Sequence, residues 1–136
     1  MDQCSILYVQ PAAGGDTHAA ALIAMGFAVS VVSDLPASEV FATYHAVVVR
    51  VPGCRLPQIG MRLRAKPRFG RRVLIGLVPE DCPERERRDA AACGFDLTLS
   101  DHCSPRDLAA HILRRLRPFP EYRCLLRTPN GRRKAA

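Results

Sequence analysis

The chain has 136 residues, 48% hydrophobic and 24% charged, which suits one folded domain with a real core and excludes a chain disordered over most of its length. Its net charge of +7 is unevenly placed: residues 1–113 carry twelve basic and twelve acidic side chains, whereas 114–136 carry eight basic residues against Glu121 alone. A neutral body with a basic tail points to an acidic partner, nucleic acid or an anionic surface, although an Arg-over-Lys usage of eighteen to two also fits genome composition.

The first strand is expected at residues 5–9, broken by Pro11-Ala12-Ala13-Gly14-Gly15 before an Ala-rich helix over 16–25. Asp16 or Thr17 is placed to cap that helix and Gly26 to end it. A second strand follows over 27–32, then a short helix over 36–44 with Val40, Phe41 and Tyr44 at helical spacing. His45-Ala46-Val47-Val48-Val49-Arg50-Val51-Pro52-Gly53 is the organising stretch. Its valines and closing Pro-Gly turn read as a strand buried on both faces, and Arg50 falls where that strand runs out. An amphipathic helix over 57–65 sets Ile59 and Leu63 against Arg62 and Lys66. A buried strand over 73–78 leads through Pro79-Glu80-Asp81 into a charged helix over 83–93, which Gly94 stops. A fifth strand covers 97–99, and Ser104-Pro105 opens a last helix that runs to about residue 117.

Five strands alternating with five helices imply an α/β domain. Its parallel sheet is covered on both faces, in the flavodoxin-like doubly wound arrangement with three α/β/α layers. Pro118-Phe119-Pro120 marks the end of the folded body, which divides the chain into residues 1–117 and a basic tail, 118–136.

The order of elements, with local phrases along it, resembles the receiver domain of bacterial response regulators. The phrases are Met25-Gly26-Phe27, Leu63-Arg64-Ala65-Lys66-Pro67, Glu84-Arg85-Glu86-Arg87 through Ala91-Ala92-Cys93-Gly94-Phe95-Asp96, and Leu99-Ser100-Asp101-His102-Cys103-Ser104-Pro105. The resemblance implies a phospho-acceptor aspartate at the end of the third strand, acidic residues after the first strand to hold Mg²⁺, and a lysine at the end of the fifth. In this chain those positions align with Arg50, with Gln10 and Pro11, and with Asp101. The hydroxyl residue implied after the fourth strand gives way to Leu77-Val78, and the aromatic residue of the fifth strand to Thr98. A hard cation and an acyl phosphate both need carboxylates, so the resemblance implies a degenerate receiver that is not phosphorylated. With the two signs exchanged, Arg50 and Asp101 are expected to form an ion pair across the vacated site, bidentate if the guanidinium meets the carboxylate squarely.

Other chemistries have weaker support. Cys54, Cys82, His102 and Cys103 are expected on loops along the same sheet edge, where thiolate and imidazole would suit zinc, but their spacing matches no metal pattern. The six cysteines are expected as reduced, mostly buried thiols. His18, His45 and His111 read as packing or capping residues. No glycine-rich nucleotide motif follows any strand, and no cofactor is expected. The chain shows no basic leader and no long apolar run, so the expectation is a cytoplasmic protein without a membrane span.

Two function classes follow. One is a non-catalytic signalling module that binds a protein partner, a histidine kinase or a regulator, with a homodimer left open. The other is a nucleic-acid-associated protein in which Arg114, Arg115, Arg117, Arg123, Arg127, Arg132, Arg133 and Lys134 meet phosphates.

Overall fold

The computed structural model describes residues 4–10, 17–33, 43–50, 55–66, 69 and 72–118. Their order is β1 (Ser5–Val9), α1 (Thr17–Ala24), β2 (Ala28–Val32), β3 (Ala46–Arg50), α2 (Leu56–Arg64), β4 (Val73–Val78), α3 (Glu84–Ala92), β5 (Leu97–Ser100) and α4 (Pro105–Leu116). The strands form one sheet in the order β2-β1-β3-β4-β5, with every pairing parallel.

β3 is the central strand, and its apolar run lacks alternation because both of its faces are covered. Ala46 and Val48 pack with Ile6, Tyr8, Leu22, Leu108 and Ile112 in one cluster. Val47 and Val49 pack with Leu56, Ile59, Leu63 and Phe95 in the other. Fully burying one Val or Leu contributes about 1.5–3 kcal/mol, so β3 and the wholly buried β4 dominate the cohesion of the sheet. β2, an edge strand, is only half buried.

Local chemistry fixes the helix ends. Ser104 Oγ accepts a hydrogen bond from the Asp107 backbone N–H at 3.0 Å, with Pro105 in the first turn, so α4 starts where the sequence places it. Gly26 and Gly94 take φ of 105° and 113°, the left-handed geometry that closes α1 and α3.

Two expectations change, and one falls outside the described residues. Four helices are found among the described residues; residues 36–42 of the expected second helix lie outside them, and Thr43 and Tyr44 are in no α-helix. The cap expected at Asp16 or Thr17 also lies outside the described side chains. β5 runs one residue further, to Ser100, because Ser100 still pairs with Val78. The cysteines are less buried than expected: Cys4 is in the core, but Cys82, Cys93 and Cys103 are half-buried thiols. Each of those three sits in a loop or at a helix end, where solvent reaches the rim of the sheet. Cys54 and Cys124 lie outside the described residues.

Candidate functional site

A parallel sheet ends all its strands on one edge, and open α/β folds place their ligand crevices there. Arg50 is the last residue of β3, in register with Leu77 of β4. Asp101 follows β5 directly and is seated by its own backbone, whose N–H donates to the Val78 carbonyl at 2.7 Å. Arg50 Nη2 lies 3.8 Å from Asp101 Oδ2, so the two strand ends are bridged by opposite charges. The contact is single and longer than a hydrogen bond, so the bidentate fork is not formed. Arg50 is 37% exposed and Asp101 16%, and a pair so open to solvent is worth about 0–1 kcal/mol.

The charges continue outward. His102 Nε2 lies 3.7 Å from Asp101 Oδ1, and His102 Nδ1 lies 3.5 Å from Glu80 Oε1. Arg50, Asp101, His102 and Glu80 thus run from the end of β3 across the β5–α4 loop to the β4–α3 loop. A tighter bond comes from the opposite side. His18, buried in the first turn of α1, places Nε2 2.6 Å from the Cys103 carbonyl oxygen. A carbonyl can only accept, so His18 carries its proton on Nε2 and donates it. Within the loop, the His102 N–H donates to Ser100 Oγ and the Cys103 N–H to the Ser100 carbonyl, both at 3.0 Å. The β5–α4 loop is therefore fastened to β4, to α1 and to itself.

The other expected residues are placed less centrally. The Gln10 N–H donates to the Val32 carbonyl at 3.0 Å, extending the β1–β2 pairing, and Pro11 lies outside the described residues. Val78 is fully buried and reaches the site through its backbone alone. Thr98 pairs with Gly76 inside the sheet, two residues short of the edge. The thiols do not converge with His102: Cys82 Sγ lies 3.6 Å from Glu86 Oε1, Cys103 Sγ lies 3.9 Å from His18 Nε2, and Cys54 lies outside the described residues. Among the described residues no three metal-ligating side chains are grouped. Burial raises both thiols above the ordinary range, reinforced at Cys103 by the Asp107 and Asp101 carboxylates. A thiol held in its protonated form is a poor nucleophile and a poor metal ligand. Arg114, Arg115 and Arg117 are exposed at the end of α4, and Arg123, Arg127, Arg132, Arg133 and Lys134 lie outside the described residues.

No family model and no curated protein matches the chain. Solved structures do. An atypical orphan response regulator with a phosphorylation-independent regulatory mechanism aligns at a TM-score of 0.65 and 22% identity, over 83% of this chain and 95% of that one. The signal receiver domain of a histidine kinase from Syntrophus aciditrophicus aligns at 0.65 and 21%, over 86% and 92%. The receiver domain of a sensor histidine kinase from Pseudomonas aeruginosa, solved with magnesium in its active-site cleft, aligns at 0.61 and 18%, over 83% and 97%. This chain has the receiver fold.

On this receiver fold, two contacts at the carboxyl edge escaped the sequence reading. His18 pairs with a residue 85 positions away, and nothing in its Ala-rich surroundings marks it. Glu80 had a signal, a carboxylate one residue past a strand-ending Pro79, but turn chemistry accounted for it equally well.

Proposed function

We propose that this chain is a receiver-like signalling module that works without phosphoryl transfer, through contact with a protein partner such as a histidine kinase or a regulator. Residues 1–117 form the module and 118–136 a basic tail, a division supported by the end of α4 at Leu116. The observation that carries the reading is Arg50 at the tip of β3, facing Asp101. Aspartyl phosphate chemistry needs a carboxylate nucleophile and carboxylates on a hard cation. β3 contains no Asp or Glu, and Gln10-Pro11 follow β1. The fastened β5–α4 loop fits a module held in one state, since it has no phosphate to release it.

Acetyl phosphate with Mg²⁺ tests the chemistry: intact-mass analysis is expected to find no acyl phosphate, and a stoichiometric adduct overturns the reading. The partner class is tested by capture on the full chain and on a chain ending at Arg117. A histidine kinase or regulator retained by both at about 0.5 M salt supports protein contact. The second reading, nucleic acid bound through the tail, is favoured by the exposed Arg114, Arg115 and Arg117 leading into it. It predicts affinity for random-sequence DNA that falls steeply with salt and is lost on truncation.

A further inference from the structure

At the opposite edge of the sheet, where the strands begin, a cleft of about 500 Å³ opens beside the end of α4. Val73, Leu97 and Pro118 give it an apolar wall, and the guanidiniums of Arg64, Arg114 and Arg115 border it. Asp96, the acid of its described lining, accepts from Arg64 Nη2 at 2.9 Å and from the Leu74 N–H at 2.7 Å. The helix dipole accounts for arginines in the last turn of α4, so their presence alone calls for no ligand. What a wall of this composition accepts is a separate matter. Guanidinium planes and apolar side chains both suit an aromatic ring, and Arg64 already lies 5.0 Å from the centroid of the Phe69 ring.

The chain itself supplies rings at this place. Pro118 lines the cleft, and the residues that follow it are Phe119-Pro120-Glu121-Tyr122-Arg123-Cys124-Leu125-Leu126. The sequence beyond Pro118 falls into two unlike parts. Residues 119–126 hold five hydrophobic side chains with one acid and one base, whereas 127–136 hold four basic residues, no acid, and only Ala135 and Ala136 among hydrophobic ones. The second part has the composition of a segment that stays in water, and the first does not. Glu121, the acid of the tail, is three residues past Pro118 and so within about 11 Å of the cleft even along an extended chain.

We propose that residues 119–126 dock in this cleft of their own chain, with the Phe119 and Tyr122 rings against Leu97 and the guanidiniums, and with Glu121 beside Arg114 and Arg115. The volume lies within the range of small-molecule sites, room for a few large side chains and not for the whole segment. Phe119 and Tyr122 are therefore the anchors, and Leu125 and Leu126 cover the rim. The basic end, 127–136, is a poor occupant, because the arginines at the cleft repel it. A second copy offers the same apolar segment, but attachment at Pro118 gives the chain's own segment an effective concentration in the millimolar range. The tail is then divided at Leu126 into a docked strap and a basic end that leaves the body from a fixed place. This holds whether or not the Arg50 edge accepts phosphate, and whether or not the basic end meets nucleic acid.

Nuclear magnetic resonance on the full chain tests the proposal. Amides of 121–126 are expected to exchange about tenfold slower or more than in a free peptide of residues 119–136, and those of 130–136 at the rate of that peptide. Overhauser contacts should join the Phe119 or Tyr122 ring to the Leu97 methyls. Phe119→Ser with Tyr122→Ser should bring residues 121–126 to the peptide rate while the β3 and β4 amides stay protected. Glu121→Arg should speed exchange there about threefold, and adding Arg114→Glu with Arg115→Glu should slow it again. Peptide-like exchange at 121–126 in the unaltered chain overturns the proposal, as does protection without any contact to Leu97 or protection that survives loss of both rings. Protection that grows with protein concentration, alongside a dimer mass in sedimentation, also overturns it and assigns the cleft to the tail of a second copy.

Discussion

The two edges of the sheet are built in opposite ways. At the carboxyl edge Arg50 and the His102 imidazole face the Asp101 and Glu80 carboxylates, yet their contacts are 3.5 to 3.8 Å long and three of the four side chains are over a third exposed. At the amino edge Arg64 alone donates to the Gly94 carbonyl, the Arg72 carbonyl and Asp96 at 2.8 to 3.1 Å, and its guanidinium lies 5.0 Å from the centroid of the Phe69 ring. The difference teaches where this fold keeps its stability. Side-chain bonds of full hydrogen-bond length hold the end from which the strands start, whereas at the end where a receiver would carry its chemistry the loop is held by the His18 bond and its own backbone, and the side-chain charges add weak contacts that single substitutions can remake.

Breaking the amino edge should have the largest effect. A Cβ on Gly60 would lie 2.6 Å from the Cys93 carbonyl and 2.9 Å from the Phe95 ring, so α2 could no longer close on the end of α3. Gly60→Val should lower the unfolding free energy by about 3 kcal/mol, read from urea denaturation. No loss would mean that α2 moves freely at this contact. Arg64→Ala comes next. It strips Asp96 of its cation and leaves the Gly94 and Arg72 carbonyls without this donor, a loss of about 1–2 kcal/mol. Arg64→Lys should recover less than half of it, because an ammonium cannot span three acceptors with a planar fork. Full recovery would reduce the arrangement to a simple charge contact.

Cys4, just before β1, sharpens the comparison through pH. Burial pushes its thiol from the ordinary 9.0 up to about 12. Below pH 9 the thiol is protonated whether the chain is folded or not, and it adds no pH dependence. Between those values the unfolded chain releases a proton that the folded chain keeps, so stability falls with rising pH by about 1 kcal/mol per unit. Cys4→Ala should flatten that alkaline slope in urea titrations at about pH 8 and about pH 10.5. An unchanged slope would mean that the site opens to water.

How much of this was legible in the sequence depends on the range of the interaction. β4 was legible residue for residue, because an unbroken apolar run closed by Pro79 admits one reading. The Ser104-Pro105 start of α4 was legible because a cap bond spans three residues. The apposition of Arg50 and Asp101 was legible through an alignment of strand ends, since a parallel sheet fixes which ends are neighbours. Its geometry was not, because a few tenths of an ångström in the loop separate a fork from a loose contact. Arg64 and Asp96 stood in two of the phrases that carried the resemblance, yet their pairing across 32 residues had no local sign.

The smallest effect should come from the pair that first drew attention. Removing Arg50 or Asp101 loses the screened 3.8 Å contact between them, worth about 0–1 kcal/mol. Asp101→Ala also relieves a cost, because Asp101 Oδ1 is buried with no hydrogen-bond partner among the described residues, and His102 Nε2 at 3.7 Å is too far to supply one. The two terms oppose each other, so global stability should scarcely change in either single variant. Amide exchange is where the pair should register. The Asp101 N–H bond to Val78 and the Cys103 N–H bond to Ser100 close the loop that the side-chain charges hold against β3. Arg50→Ala and Asp101→Ala should each speed exchange of those two amides, and the double variant should exceed neither single one, the signature of residues acting through one contact. Additive acceleration would mean that Arg50 and Asp101 steady the loop separately. Arg50→Asp goes further, placing a second carboxylate opposite Asp101. The two would repel at low salt, and adding Asp101→Lys should restore slow exchange by exchanging the signs across the same gap.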